Sequence, residues 1–322
     1  MDLRQLRYFV AIAECGGFSA ASEVLHIAQS ALSRHVQNLE QECGGPLFER
    51  ASRGIQLTTA GLLLLDRARR LLREVDSIRL DVQAENEEPT GVVRIGTTPS
   101  VAEALFTPLA VHFLNSFPKV RLELVETIKP DPSALLSRGD LDLAISSPKE
   151  AYGSLHFEPL FIEQMCVFGP VGGEGPPTPA QDGLGMLLDT PLVVPVGTGW
   201  MPKLGLLLGE RVSRLQVRLE VVGMTCMKQM VAAGLGRGIV PHWTLSRELA
   251  EKRFWAVPIK GFTQVRALAR SRDRPIGRIG IEFAGAVRHV VRDMGKLDGI
   301  KLIGDDAARA LARDRTRANI QM

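Results

Sequence analysis

The sequence predicts an α/β protein in which a small winged helix-turn-helix domain precedes a larger domain of alternating strands and helices. Three patterns predict this arrangement: two short helices, a turn and a hairpin in residues 18–59, a heptad repeat in residues 64–82, and short apolar strands alternating with helices from Gly91 onward. With 322 residues, 45% of them hydrophobic, the chain can form two or three packed units.

The helix-turn-helix begins with a predicted helix over residues 20–25, which Ser19 can cap, and a turn at residues 26–28. A second helix is predicted over residues 29–42, because apolar residues recur at helical spacing on one side: Leu32, Val36, Leu39 and Cys43. Its other side carries side chains long enough to reach base edges and phosphates: Gln29, Ser30, Ser33, Arg34 and Gln37. This arrangement is typical of a helix that enters the major groove of DNA.

A hairpin follows, with predicted strands at residues 47–50 and 55–57 and a turn at residues 52–54. We interpret it as a wing, in which Arg50 and Arg53 are placed to contact the phosphate backbone.

Residues 58–85 are predicted to form a long helix capped by Thr58 or Thr59. Its apolar residues follow the a/d spacing of a coiled coil: Leu64, Ala68, Leu71, Val75, Ile78 and Val82. Such a seam either pairs with a second copy of the chain or packs on its own subunit, and we expect pairing. Residues 85–91 then end the helix and form a hinge.

The larger part is predicted to be an open α/β sheet. Its predicted strands are residues 92–96, 120–125, 141–146, 164–169, 192–196, 217–222, 238–241 and 265–271. Ligands bind such sheets beyond the carboxyl ends of the strands. We therefore expect a ligand site lined by Thr97, Thr98, Ser100, Ser146 and Ser147, facing Thr198, Trp200 and Thr225. The helix N-terminus at residues 98–100 suits a carboxylate, although serine and threonine there could equally be helix caps.

Composition narrows the function classes. The net charge is only +3, and residues 1–60 hold five arginines and six acidic residues, so DNA binding would need a few well-placed groups and more than one copy. The four cysteines form no CxxC pair, which favours reduced thiols in a cytoplasm. The N-terminus lacks the apolar core of a secretion signal, and no apolar run is long enough to cross a membrane.

Catalysis is not indicated. The six histidines show no metal-ligand spacing, and neither a GxSxG elbow nor a phosphate-binding loop is present. The glycine-rich run at residues 234–238 follows a helix and precedes a strand, which is the wrong order for a dinucleotide site. We expect no enzyme activity, no cofactor and no metal.

The first 61 residues resemble the DNA-binding domain of the LysR-type transcriptional regulators. The matching residues, in the family's order and spacing, are Phe18, Ala21, Leu25, Gln29, Ser30, Leu32, Ser33, Leu39, Glu40, Gly44, Leu47, Phe48, Arg50, Arg53, Gly54, Leu57, Thr58 and Gly61. Ser22 and Cys43 depart from the usual alanine and leucine. The looser resemblance of the remainder, to about residue 295, implies an effector-binding domain of two lobes like those of periplasmic solute-binding proteins.

This resemblance implies a domain plan and a function. The expected domains are a DNA-binding domain (1–60), a dimerisation helix and hinge (61–90), an effector domain (91–297, with lobe I at 91–163 and 266–297 and lobe II at 164–265) and a charged tail (298–322). The expected partners are double-stranded promoter DNA, a small-molecule effector such as a carboxylate, and further copies of the chain in dimers and tetramers, with no membrane. The alternative is a cytoplasmic small-molecule-binding protein or an enzyme built on the α/β lobes; a transport protein is disfavoured by the helix-turn-helix.

Overall fold

The computed structural model describes residues 1–51, 54–83, 89–149, 151–172, 182–197 and 201–304. The chain divides into two compact units, Met1–Glu87 and Glu88–Met322, which are described one at a time. Within the described residues, no helix combines the length and the apolar character needed to span a membrane.

The first unit has a helical frame with one hairpin. Its elements, in chain order, are α1 (Leu3–Cys15), α2 (Phe18–Leu25), α3 (Gln29–Cys43), β1 (Phe48–Ala51), β2 (Gly54–Leu57) and α4 (Thr59–Gln83). Helix α1 starts after Asp2, whose carboxylate accepts the backbone N–H of Gln5. Helix α3 and the hairpin lie within one residue of their predicted bounds, and so does the start of α4. The predicted end of α4 at residue 85 lies outside the described residues.

The start of α2 differs from the sequence prediction. The helix begins at Phe18 rather than at residue 20, so Ser19 lies in its first turn and does not cap it. Gly17 takes the cap position and makes no side-chain cap hydrogen bond. The ring of Phe18 packs edge-on against Phe48 of the hairpin, with 5.8 Å between ring centroids, and this contact favours an earlier helix start.

The apolar side of α3 forms much of this unit's core. Leu32, Val36 and Leu39 are at most 2% exposed and pack against residues of α1 and α2. Cys43, which the spacing placed on the same side, is exposed. It is the last residue of α3, and the chain turns away at Gly44 before anything covers it.

Thr58 joins the hairpin to α4. Its hydroxyl donates to the backbone oxygen of Pro46 at 2.8 Å and accepts the backbone N–H of Gly61 at 3.0 Å, so Thr58 is the cap. Gly61 lies so close to the backbone oxygen of Leu47 that a Cβ at this position would collide with it. The first turn of α4 is therefore held tightly against the hairpin.

Part of the predicted heptad seam lies inside the unit. Ala68 is 1% exposed and packs with Leu65 against Phe9 of α1. Its small side chain allows α4 and α1 to approach closely. Ala68 was expected on an outer dimerisation surface, and the structure corrects this: it belongs to the core of its own unit.

The remainder of the seam is more open. Leu71 and Ile78 are 47% and 54% exposed, whereas Leu64 and Val75 are partly covered. The side chain of Val82 lies outside the described residues. An outward apolar stripe therefore continues along the second half of α4.

The second unit alternates strands and helices around a sheet. Its elements are β3 (Gly91–Thr97), α5 (Pro99–Ser116), β4 (Val120–Glu126), α6 (Pro132–Arg138), β5 (Leu143–Ser146), β6 (Leu155–Pro170), β7 (Pro191–Pro195), α7 (Met201–Leu208), β8 (Gln216–Val221), α8 (Met224–Ala232), β9 (Arg237–Pro241), α9 (Ser246–Ala250), β10 (Phe254–Ser271), α10 (Gly277–Met294) and β11 (Ile300–Leu302).

These strands pair in the order β4-β3-β5-β10-β6-β9-β7-β8, with β11 added beside β6. The two ends of the sheet are parallel, and β6 and β10 join them as a long antiparallel pair. We call the part with β3–β5, α5, α6 and α10 lobe I, and the part with β7–β9, α7, α8 and α9 lobe II. Both lobes share β6 and β10.

The two long strands extend well beyond the strands predicted at residues 164–169 and 265–271. Strand β6 begins at Leu155 and β10 at Phe254. The first half of β6 contains Pro159, which cannot donate a ladder hydrogen bond, and the pairing shifts register there. The sequence pattern therefore predicted only the apolar second half of β6.

Each lobe has apolar cores that its helices cover. In lobe I, α5 and α10 pack together over the sheet around Leu105, Phe113 and Phe283, which are at most 1% exposed. A smaller cluster beneath α6 includes Leu136. In lobe II, α7 contributes Leu204 to one cluster and α8 contributes Val231 to another.

A buried ion pair ties β6 to β10. The guanidinium of Arg266 donates to one carboxylate oxygen of Glu163 at 2.7 Å from Nε and 2.6 Å from Nη2. The other oxygen accepts the indole N–H of Trp243, which follows β9 in lobe II, at 3.1 Å. Glu163 is fully buried, and Arg266 and Trp243 are 7% and 4% exposed. We call these three residues the buried triad.

Replacing Thr58 with alanine should destabilise the first unit. The Thr58→Ala variant loses both the cap of α4 and the link to the hairpin, so we expect the free energy of unfolding of residues 1–87 to fall by about 1 kcal/mol. Hydrogen exchange at the amides of the first turn of α4 measures this. The control is Thr59→Ala, at the neighbouring exposed position. Equal protection in both variants would show that the cap contributes nothing.

Removing one partner of the buried triad should destabilise the second unit strongly. In Arg266→Met the charge of Glu163 stays buried without its cation, so we expect the free energy of unfolding to fall by ~3 kcal/mol or more. The control is Arg288→Met, which breaks the more exposed pair with Glu158 and should cost less than ~1 kcal/mol. Urea unfolding followed by tryptophan fluorescence compares the two variants. Similar midpoints for both would contradict the assigned role of the pair.

Candidate functional site

Helix α3 presents a polar face to solvent. Four of the five residues predicted to face DNA are exposed, namely Gln29, Ser30, Arg34 and Gln37, and the fifth, Ser33, is half-buried. The guanidinium of Arg34 makes no hydrogen bond or ion pair with another residue of the described ranges, so its donors are available to a ligand. These side chains share one side of the helix because the apolar residues at 32, 36 and 39 fix the opposite side in the core.

Two histidines near this face have structural roles. His26 takes a left-handed conformation, with φ of 53°, and makes the turn between α2 and α3 as expected. The ring of His35 packs edge-on against Tyr8 of α1, with 5.0 Å between ring centroids, and is half-buried.

The hairpin is anchored by aromatic packing. Phe48 lies 5.1 Å from Phe9 between ring centroids, which fixes β1 on the core. The backbone of Arg50 pairs with Ile55 in the hairpin ladder. The side chain of Arg50 and the whole of Arg53 lie outside the described residues, so their contact with phosphate remains a sequence prediction.

A cavity of about 340 Å³ lies between the two lobes of the second unit. It is lined by Thr98, Pro99, Ser100, Ile128, Lys129, Asp131, Ser146, Ser147, Lys149, Met165, Pro195, Gly197, Gly223, Met224, Met227, Ile239, Val240, Pro241, Gln264 and Arg266. Its walls come from the carboxyl ends of β3, β5 and β7 and from the first residues of α5 and α8. This is the position that the strand order predicts for a ligand.

Four of the predicted ligand residues line this cavity: Thr98, Ser100, Ser146 and Ser147. The hydroxyl of Ser146 lies 2.6 Å from that of Ser133, which fixes its position at the cavity wall. Thr198 and Trp200 lie outside the described residues. The first turn of α5 also borders the cavity, and because it begins with Pro99, which has no backbone N–H, Ser100 carries the first N–H of the helix.

Two predicted ligand residues lie elsewhere. Thr97 is fully buried, and its hydroxyl donates to the backbone oxygen of Ile145 at 2.8 Å, so it joins β3 to β5. Thr225 lines a separate cleft on the far side of α8. Helix α8 begins at Met224, and at this register Met224 and Met227 line the cavity while Thr225 lies on another side of the helix.

The sequence reasoning missed the charged residues of the cavity. Lys129, Lys149 and Arg266 line it together with a single acid, Asp131, among the described residues. Lys149 is ion-paired with Asp131, and Arg266 is held by Glu163. Charged residues inside otherwise apolar strands, as at positions 163 and 266, could have indicated a buried pair.

The lining is asymmetric. The hydroxyls and the two lysines belong to lobe I, whereas much of the facing wall is apolar and rich in methionine: Met165, Met224, Met227, Ile239 and Val240.

Burial raises the pKa of the thiol of Cys166, the neighbour of Met165 in the chain, to about 12, so this thiol stays protonated and is a poor nucleophile. Within the described residues, no group of three His, Cys, Asp or Glu side chains could hold a metal ion. The geometry is that of a binding cavity with a cationic and an apolar side.

Two families of known sequences match the chain. The family described as "Bacterial regulatory helix-turn-helix protein, lysR family" matches residues 3–62, and the "LysR substrate binding domain" matches residues 86–288. The nitrogen assimilation regulatory protein nac of Klebsiella aerogenes is 30% identical over 251 residues, which cover 75% of this chain and 79% of that protein. OxyR of Escherichia coli is 36% identical over 170 residues, which cover 52% of this chain and 55% of that protein.

A solved structure shows the same fold. Full-length CbnR in complex with its target DNA matches with a TM-score of 0.65 at 22% identity, covering 90% of this chain and 100% of that chain. The matches to the two families together span most of both structural units. The chain belongs to the LysR family of bacterial transcriptional regulators.

Proposed function

We propose that this protein regulates transcription by placing α3 of two or more copies in the major groove of promoter DNA, under the control of a small organic anion bound between its lobes. The observation that carries the DNA-binding part is the exposed polar face of α3 on its helix-turn-helix frame. A regulator that combines DNA binding with effector binding is what the two matched families describe.

We assign base contacts to the long side chains of this face. Arg34 can form a bidentate hydrogen bond with guanine, and Gln29 and Gln37 can do so with adenine. Ser30 and Ser33 are short donors suited to phosphates or bases near the helix. Arg50 and Arg53 of the wing are proposed to bind phosphates, which would position the domain without reading sequence.

We propose that α4 forms the dimer. Its outward stripe includes Leu71 and Ile78, which are 47% and 54% exposed. Apolar residues exposed along one helix are stabilised by pairing with a second helix of the same kind. Two paired α4 helices would carry two α3 helices, as a partly palindromic DNA site requires, and two such dimers would form the tetramer.

We propose that the cavity binds the effector. Its hydroxyl groups, its three cations and the first turn of α5 favour an anion over a neutral or cationic ligand. The ligand would shift the angle between the lobes only as far as it binds one arrangement better than the other. The cavity by itself would also suit an enzyme or a transport protein, but neither accounts for the helix-turn-helix unit.

Because the proposed target is chromosomal DNA, we propose that the protein acts in the cytoplasm.

Replacing Arg34 with alanine should weaken specific DNA binding. If Arg34 reads a guanine, the loss corresponds to ~1–3 kcal/mol, or roughly a five- to 150-fold higher Kd. The target can be selected from a random pool with the wild-type protein, and Kd measured by fluorescence anisotropy on the selected and a scrambled duplex.

The matched control is Arg247→Ala, which also removes one positive charge at an arginine that is 82% exposed on α9 of lobe II. We expect its Kd to equal that of the wild type. The Arg53→Ala variant should instead weaken both duplexes alike and reduce the salt dependence of binding. If Arg34→Ala binds both duplexes as the wild type does, α3 is not the reading helix.

A further inference from the structure

We propose that Lys129 selects the charge of the effector and joins the two lobes across the cavity mouth, and that the effector is a monoanion with an apolar body. This proposal rests on the proposed function, because it concerns the same cavity. It adds the residue that discriminates charge and the chemical class of the ligand.

Lys129 is the lining cation that the protein leaves uncompensated. Arg266 is bound to Glu163, and Lys149 is bound to Asp131. Among the residues that the structure describes, the ammonium of Lys129 has no hydrogen-bond or ion-pair partner. A ligand anion at this position would gain a charge-assisted hydrogen bond without displacing an existing one.

The position of Lys129 links the lobes. It follows β4 in lobe I, yet its aliphatic chain reaches Gly197, which follows β7 in lobe II. A Cβ on Gly197 would collide with Cε of Lys129, and Gly197 has a φ of +69°, a conformation that favours glycine. Glycine at this position therefore leaves room for the lysine to cross the mouth. An anion bound by Lys129 would hold the lobes together.

The opposite wall determines the rest of the ligand. Met165, Met224 and Met227 give this side a soft apolar surface that adapts to ligand shape. A second anionic group placed there would lose its hydration without gaining a partner. A cavity of about 340 Å³ is large enough for a small organic acid with several carbon atoms. The anionic group should face lobe I, and the apolar body should face the methionines.

Three six-carbon probes test this class on the full-length protein. Hexanoate carries one carboxylate, hexanamide is its neutral analogue, and adipate carries a carboxylate at both ends. In isothermal titration calorimetry we expect hexanoate to bind about tenfold or more tightly than either of the others, as one charged hydrogen bond provides. Binding of adipate or hexanamide as tight as that of hexanoate overturns the ligand class, and so does the absence of binding by all three at millimolar concentration.

Variants then test the role of Lys129. Lys129→Met should weaken hexanoate binding by roughly tenfold and remove the preference over hexanamide, whereas Lys129→Arg should keep it. Gly197→Ala should weaken hexanoate in the same direction, because it displaces the side chain of Lys129 while keeping its charge. Lys260→Met, at an exposed lysine of β10 that does not line the cavity, is the matched control and should bind as the wild type.

A DNA-binding measurement distinguishes a failure of this proposal from a failure of the proposed function on which it rests. Each variant is also tested on the selected DNA duplex without probe, where all should bind as the wild type. If Lys129→Met keeps the tenfold preference for hexanoate, the charge-selecting role of Lys129 is wrong while DNA binding is untouched. If the wild type binds no DNA, the proposed function fails whatever the probes show.

Discussion

The carboxylate of Glu163 is the group on which the second unit depends most. It is fully buried, and Arg266 and Trp243 supply hydrogen-bond donors to both of its oxygens. Those donors come from β10 and from the segment after β9, which ties both long strands to lobe II. Arg266 also lines the cavity, so the cation paired with Glu163 is part of the cavity wall.

The two units perform separable tasks with different chemistry. The first presents hydrogen-bonding side chains on a rigid helix whose other side is fixed in an apolar core. The second encloses a cavity between a cationic and an apolar wall. Membership of the LysR family shows that both belong to one regulator, whereas the physical properties of the cavity narrow the class of molecule to which this member could respond.

Features that depend on a short repeat of residue types along the chain could be predicted from the sequence. The polar face of α3 followed from the spacing of Leu32, Val36 and Leu39, and the cavity hydroxyls followed from their places at strand ends. Other features could not be predicted, because they depend on a partner far away in the sequence or on a shift of a strand end by one residue. Arg266 meets Glu163 across 103 positions. Thr97 differs from Thr98 only because β3 continues one residue further, which turns its hydroxyl toward β5.

The packing of Ala68 and Leu65 with Leu6 and Phe9 of α1 joins α4 to the core of the helix-turn-helix domain. A linker helix that carried its apolar residues only on its outer side could rotate relative to its helix-turn-helix domain. If two α4 helices pair as proposed, a twist or slide of one against the other would also move the α3 helices. The spacing and tilt of the two α3 helices on DNA would then be set at the contact between the two α4 helices, far from the bases that α3 contacts.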